Sequence, residues 1–183
     1  MHVLVAYASR HGATQGIAER IAETLVKAGL EAEARPVSAV KSLAGYDAFV
    51  VGSAAYMFKW LKDASAFVRR NHAVLAGKPV WFFSSGPTGG PLDTKGRDQK
   101  LVTVPKDAAE LAQSVHARDL RIFFGAYFRD RKPVGFAERF MSIMPAMEGV
   151  PEGDFRDWPD IEAWASAIAA QLRQAEPIAP VGR

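Results

Sequence analysis

The chain has 183 residues, 49% of them apolar, a length and composition typical of one domain with a full hydrophobic core. It contains no cysteine, which excludes disulfides, thiolate metal sites, iron–sulfur clusters and cysteine nucleophiles. The formal net charge of +3 is small and the basic residues are spread along the chain, so we expect no nucleic-acid partner. No pair of the four histidines has metal-ligand spacing, and we expect no metal.

The beginning of the chain predicts a strand. The apolar run over residues 2–7 has no basic segment before it, so we expect no secretory signal. No apolar stretch approaches the length of about 20 residues that spans a bilayer. We therefore expect a cytoplasmic protein, and peripheral contact with the inner face of the membrane is left open.

Strand and helix patterns alternate from one end of the chain to the other. Strands are predicted at residues 2–7, 31–36, 47–53, 79–84 and 119–126. Helices are predicted at residues 13–28, 59–72, 106–114 and 159–174. This alternation predicts an α/β fold with a parallel sheet covered on both faces. We expect a single domain over residues 1–176 and a flexible tail over residues 177–183.

The first strand leads into a short turn that is typical of an anion site. Backbone N–H groups and the positive end of the dipole of the next helix point into such a turn. Ser9 and Thr14 add hydroxyl donors, and Gly12 lets the backbone approach a phosphate closely. The alternative is that Ser9 or Thr14 only caps the helix. The turn lacks both G-x-G-x-x-G and G-K-[ST], which favours a mononucleotide over a dinucleotide or a nucleoside triphosphate.

Two further strand ends are small, polar and rich in glycine. They are the ends of the third and fourth predicted strands, at residues 52–56 and 84–90, and each contains glycine. Ligands of open parallel sheets bind outside the carboxyl ends of the strands, so we expect these segments and the first turn to share a ligand. Tyr56 is the candidate to lie beside a flat ring, and packing of its side chain in the fold is the alternative.

The strand, the turn Ser9-Arg10-His11-Gly12-Ala13-Thr14 and the helix together resemble the phosphate loop of the flavodoxin family, although His11 replaces its middle threonine. The resemblance covers nearly the whole chain. It implies a flavodoxin-like three-layer sandwich with a five-stranded sheet of order 2-1-3-4-5, and FMN as the cofactor. Because FMN carries the chemistry, no catalytic side chain is expected. The FMN-binding residues that it implies are Ser9, Arg10, His11, Gly12, Ala13, Thr14, Ser53, Ala54, Ala55, Tyr56, Met57, Ser84, Ser85, Gly86, Pro87, Thr88 and Gly89.

The second half of the chain is similar to the menaquinone-dependent protoporphyrinogen oxidase type of flavodoxin-like protein. One feature is an inserted segment at about residues 127–153, which a minimal flavodoxin does not need. The other is the sequence from Asp154 to Trp158, which resembles the D-x-x-x-W entry to the last helix of that group. The resemblance implies oxidation of protoporphyrinogen IX to protoporphyrin IX with a quinone acceptor, in haem biosynthesis.

The inserted segment has a helical pattern with basic residues ahead of an apolar stripe. Arg129, Arg131 and Lys132 are speculative binders of substrate carboxylates or anionic lipid headgroups. The stripe would then cover an apolar ring system or touch a membrane. The alternative is a helix that packs on the core with solvated charges beside it.

Other functions are left open. An FMN-dependent NAD(P)H:quinone or nitro-compound reductase has the same sequence requirements. A flavodoxin electron carrier is a further alternative, although such carriers are usually strongly acidic and this chain is not. A sensor without turnover also remains. The expected partners are a tetrapyrrole, a quinone or both, and a homo-oligomer is left open.

Overall fold

A parallel sheet in the order β2-β1-β3-β5-β6 forms the centre of the fold. The structure, a computed structural model, describes residues 1–86, 88, 96, 98, 100, 103–128 and 152–175. The strands are β1 (His2–Ala8), β2 (Glu31–Pro36), β3 (Ala48–Tyr56), β4 (Lys59–Trp60), β5 (Val80–Ser85), β6 (Leu120–Phe123), β7 (Ala126–Tyr127) and β8 (Gly153–Asp154). The helices are α1 (Ala13–Lys27), α2 (Lys62–Arg70), α3 (His72–Ala76), α4 (Lys106–Ser114) and α5 (Trp158–Ala175), with a 3₁₀ turn at Val37–Ala39.

The two faces of the sheet carry separate apolar cores. Side chains alternate between the faces of a strand, so a strand that is covered on both sides is apolar throughout. Val3 and Val5 of β1 pack with α1 and α5, whereas Leu4 and Ala6 pack with α2 and α4. Trp81 of β5 lies in the α1 and α5 core. These three layers confirm the α/β sandwich that the sequence predicts.

The strand order agrees with the prediction apart from one additional short strand. Strand β4 pairs antiparallel with the end of β3, so the fourth and fifth parallel strands are numbered β5 and β6. The expectation that a helix begins at residue 59 was therefore wrong, since α2 begins at Lys62. Trp60 belongs to β4, and its ring packs against Phe82 at a centroid distance of 5.1 Å.

The last parallel strand is also shorter than predicted. Strand β6 ends at Phe123, and Ala126 and Tyr127 form a separate ladder with Asp154 and Gly153. This ladder joins the two ends of the predicted insert. Residues 129–151 lie outside the described residues, and so does the predicted tail. Within the described ranges, no helix is long and apolar enough to cross a bilayer.

Candidate cofactor-binding site

The register of the sheet brings the three predicted loops to the same edge. Ala8 at the end of β1 is aligned with Ser53 of β3, and Ser53 is aligned with Ser84 of β5. Because these strands are parallel, their carboxyl ends lie at the same edge of the sheet. The loops after β1, β3 and β5 are therefore neighbours, as the sequence predicts.

The turn after β1 leaves the first turn of α1 available to an anion. Gly12 precedes the helix in the left-handed region, with φ of 83°, which favours glycine. Its N–H donates to the Ser9 hydroxyl oxygen at 3.1 Å, so Ser9 shapes the turn. The helix has no side-chain cap and no acidic residue in its first turn. The alternative in which Ser9 or Thr14 caps α1 is not observed.

Arg10 links the turn after β1 to the end of β3. Its guanidinium lies over the Tyr56 ring, with 4.8 Å between Cζ and the ring centroid, which is a cation–π geometry. Arg10, His11 and Tyr56 are all partly exposed. The structure therefore places a positive charge against the aromatic side chain that the sequence singles out.

A tight hairpin follows the end of β3. Met57 and Phe58 form its two-residue turn, with φ values of 50° and 59°. The Ser53 hydroxyl donates to the Ala54 carbonyl at 2.9 Å and accepts the Leu61 N–H at 3.1 Å. Ser53 is fully buried, so its side chain fixes the hairpin from within the fold. Ala54, Ala55 and Tyr56 are the partly exposed residues at this strand end.

The loop after β5 approaches its neighbours closely. A Cβ built on Gly86 would lie 3.3 Å from the Ala55 Cβ, and one built on Gly125 would lie 3.3 Å from the Ser85 hydroxyl oxygen. Ser84 and Ser85 are buried, and the Ser84 hydroxyl has no hydrogen-bond partner within the described part of the chain. Thr88 is partly exposed. Pro87 and Gly89 lie outside the described residues.

Arg156 lies at the site although the sequence patterns do not indicate it. Its guanidinium donates to Asp154 through Nε at 2.8 Å and stacks on Trp158 at 4.4 Å from the ring centroid. Nη1 donates to the Ala13 carbonyl at 3.4 Å, which places the positive charge beside the first turn of α1. The D-x-x-x-W segment contains Arg156, but no local pattern shows that it reaches a residue 143 positions away.

The donors at this edge fit a phosphomonoester joined to a flat ring. An uncapped helix N-terminus and a nearby guanidinium suit a phosphate dianion. Ala54, Ala55 and Gly86 have a small side chain or none, which suits close approach of a ring to the backbone at the ends of β3 and β5. Arg129, Arg131 and Lys132, the predicted substrate binders, lie outside the described residues.

Comparisons with known proteins agree with this architecture. The model of the flavodoxin domain family matches residues 4–149. A search of curated proteins found no match. An archaeal flavodoxin is 19% identical, with a TM-score of 0.61, over 94% of this chain and 99% of its own. Flavodoxin 2 from Bacillus cereus is also 19% identical, with a TM-score of 0.60, over 93% and 99% of the two chains.

A longer protein contains a similar unit. Rubredoxin oxygen:oxidoreductase from Desulfovibrio gigas is 16% identical, with a TM-score of 0.59 over 94% of this chain. The match covers 36% of that protein. At such identities these structural likenesses establish the fold.

Proposed function

The chain belongs to the flavodoxin domain family, whose cofactor is FMN, and from that premise we propose that it is an FMN-dependent oxidoreductase. The observation that carries the proposal is the uncapped first turn of α1. It lies at the edge of the sheet where the loops after β3 and β5 also begin. When bound, FMN supplies the transfer of one or two electrons.

The protein's part in the reaction is to hold the phosphate and to surround the ring. The amides at the start of α1, after the left-handed Gly12, would donate to the phosphate oxygens. Arg156 would add a positive charge that Asp154 and Trp158 keep in place. Tyr56 and Gly86, at the ends of β3 and β5, would face the ring, and their close-packed neighbours would keep water from its edge.

The substrate that we propose is protoporphyrinogen IX, with a quinone as the electron acceptor. Support comes from the Asp154–Trp158 segment, which resembles the entry to the last helix in the menaquinone-dependent protoporphyrinogen oxidase type, and from the insert that precedes it. The β7 and β8 ladder joins the two ends of that insert close to Arg156, since the Phe155 N–H donates to the Gly125 carbonyl at 3.0 Å. Arg129, Arg131 and Lys132 would pair with the propionate carboxylates of the substrate.

Electron transfer between proteins is the second candidate function. The two flavodoxins described above favour it, because the match covers 99% of each of their chains. The net charge of +3 opposes it if the partner is basic, because like charges slow association.

The cofactor proposal is tested by adding FMN to the purified chain and following the quenching of flavin fluorescence. Tight binding of FMN, with weaker binding of riboflavin, is the expected result because riboflavin lacks the phosphate. A chain that binds neither flavin after refolding would contradict the proposal.

The substrate proposal needs a separate assay of the FMN-loaded protein. Oxidation of protoporphyrinogen with menaquinone is compared with oxidation of NADPH by the same quinone. Changing Arg129, Arg131 and Lys132 together to alanine should slow porphyrinogen oxidation and leave FMN bound. Faster turnover with NADPH would favour the quinone reductase, and no turnover with either donor would favour the electron carrier.

A further inference from the structure

The tip of the β3–β4 hairpin presents two large apolar side chains to solvent. Met57 is 75% exposed and Phe58 is 61% exposed, more than any other large apolar residue that the structure describes. Both have positive φ, in a two-residue turn that is normally formed by Asn-Gly or a similar pair. Exposure and backbone conformation thus both disfavour the residues found here. Met57 is a predicted FMN contact but Phe58 is not, which points to a function of the tip besides cofactor binding.

Hydrogen bonds to the rest of the fold hold the base of the hairpin. Trp60 is buried, and its backbone N–H donates to both carboxylate oxygens of Asp107, at 3.1 and 3.2 Å. The Ser65 hydroxyl donates to the same carboxylate at 3.2 Å. On the other side, Ser53 accepts the Leu61 N–H. These hydrogen bonds fix the base of the hairpin, and the side chains of Met57 and Phe58 at its tip are exposed to solvent.

Among the described residues near the tip, three are basic and two are acidic. Lys59 follows the turn directly and Lys62 begins α2, and both are exposed. The Arg10 guanidinium lies over Tyr56, the residue before the turn. Asp63 is the exposed acidic residue in the first turn of α2, while the Asp107 carboxylate accepts hydrogen bonds from Trp60 and Ser65. An apolar tip beside the exposed lysines Lys59 and Lys62 matches an anionic lipid surface.

The size of the tip favours a lipid bilayer over a protein partner. A specific protein interface buries about 800 Å² on each side. Two side chains at one turn provide much less area than that. Reversible insertion into lipid needs no matching surface, because the free energy depends on the apolar area removed from water and on the attraction between lysines and anionic headgroups.

We propose that Met57 and Phe58 insert into the headgroup region of an anionic bilayer, with Lys59 and Lys62 against the lipid phosphates. This inference goes beyond the proposed reaction and does not depend on it. It places the edge of the sheet that carries the ends of β1, β3 and β5 towards the membrane.

The test is flotation of the full-length, FMN-loaded protein with vesicles. Vesicles of equimolar phosphatidylglycerol and phosphatidylcholine are compared with vesicles of phosphatidylcholine alone. We expect binding to the anionic vesicles that weakens as salt is added. Absence of binding to the anionic vesicles, or binding only before FMN is loaded, would overturn the proposal.

The decisive variant replaces Met57 with Asn and Phe58 with Gly. This pair suits the observed backbone, so the hairpin should be as stable as before or more stable, while the apolar tip is removed. We expect vesicle binding to fall at least tenfold, with an unchanged or raised melting temperature. The FMN affinity of the same variant is measured separately, because Met57 is also a predicted FMN contact. Unchanged vesicle binding would refute the proposal.

The matched control removes exposed apolar side chains elsewhere. Val26→Ser and Val74→Ser change residues that are 51% and 40% exposed, on α1 and α3, and should leave vesicle binding unaltered. Lys59→Gln with Lys62→Gln should remove the preference for anionic vesicles. A protein partner is indicated instead if the wild-type chain self-associates through the tip and does not bind vesicles.

A spectroscopic measurement reports on the tip itself. Phe58→Trp places an indole at the tip, and the four native tryptophans of the wild-type chain give the background. We expect a blue shift and quenching by brominated lipid on addition of anionic vesicles, in excess of that background. Binding without these changes would show that another part of the chain contacts the lipid, and the proposal would be wrong.

Discussion

Arg156 brings a late part of the chain to the first turn of α1. Its guanidinium is held between Asp154 and the Trp158 ring, and it reaches the Ala13 carbonyl. Gly16 provides the room, because a Cβ there would lie 2.7 Å from Nη1. The side chain is thus oriented before any ligand arrives, which lowers the entropy that binding must remove.

Replacing Arg156 with alanine should weaken FMN binding by about ten- to a hundredfold, since a hydrogen bond to a charged group contributes about 1.5–3 kcal/mol. Binding of riboflavin should not change, because riboflavin has no phosphate. Fluorescence titration with both flavins measures the two affinities.

Arg173→Ala is the matched control for this substitution. Arg173 donates to the Ala28 carbonyl at 2.8 Å, just beyond the opposite end of α1. The control should bind both flavins as the wild-type chain does. Equal losses of FMN and riboflavin affinity in the Arg156 variant would show that Arg156 supports the fold and not the phosphate.

At the scale of elements, the packing of β3 beside β5 depends on Gly52. A Cβ built on Gly52 would lie 2.0 Å from Cζ of Phe83, in a ring that is fully buried. The outer end of the ring therefore occupies the space that a side chain at position 52 would need. Gly52 therefore sets the packing of the strands whose ends form the candidate site.

Gly52→Ala should lower the free energy of unfolding by about 1–3 kcal/mol or more, because overpacking displaces buried side chains. Urea unfolding measures the change. Gly77→Ala is the control, since its nearest contact would be an ordinary 3.5 Å and its φ is not positive. A wild-type midpoint for the Gly52 variant would contradict this interpretation.

The sequence predicted the strands that are buried on both faces, because continuous apolar runs are typical of such strands. It could not predict the β3–β4 hairpin, since Met57 and Phe58 lack turn chemistry and Trp60 and Leu61 extend the helical pattern of α2. Two loops of the site follow from strand ends alone. Arg156 does not, because its position depends on tertiary contacts across most of the chain.

At the scale of the whole molecule, Asp160 ties separate parts of the fold together. Its carboxylate accepts Lys100 Nζ at 2.8 Å and Arg121 Nη2 at 2.6 Å, and it lies in the first turn of α5. Burial alone raises the pKa of Asp160, but the hydrogen bonds and charges of Lys100 and Arg121 outweigh it. The net pKa is below the ordinary value of 3.8.

A pKa that is lower in the folded state stabilises the fold above the unfolded-state pKa. Asp160→Asn should therefore lower the free energy of unfolding at neutral pH by about 1–2 kcal/mol. The difference from wild type should shrink as the pH falls below about 4 and vanish below the folded-state pKa. Urea unfolding across this pH range measures it.

Glu110→Gln, at an exposed position on α4, provides the comparison for Asp160. It should change the free energy of unfolding by less than about 0.5 kcal/mol at any pH in the range. A pH-independent difference in the Asp160 variant would mean that charge is not the cause of its lower stability.

The β7–β8 ladder holds the two ends of the insert side by side, so the insert can be replaced by a short turn. Tyr127 and Gly153 are already paired as neighbouring strand residues, so an Asn-Gly turn in place of residues 128–152 would join them as an ordinary hairpin. The shortened chain should fold and bind FMN with wild-type affinity, as measured by fluorescence titration, but lose porphyrinogen oxidation. Retained oxidation would show that the insert is dispensable. On this proposal, separable stretches of sequence would encode cofactor recognition and substrate recognition, and one could be exchanged without redesigning the other.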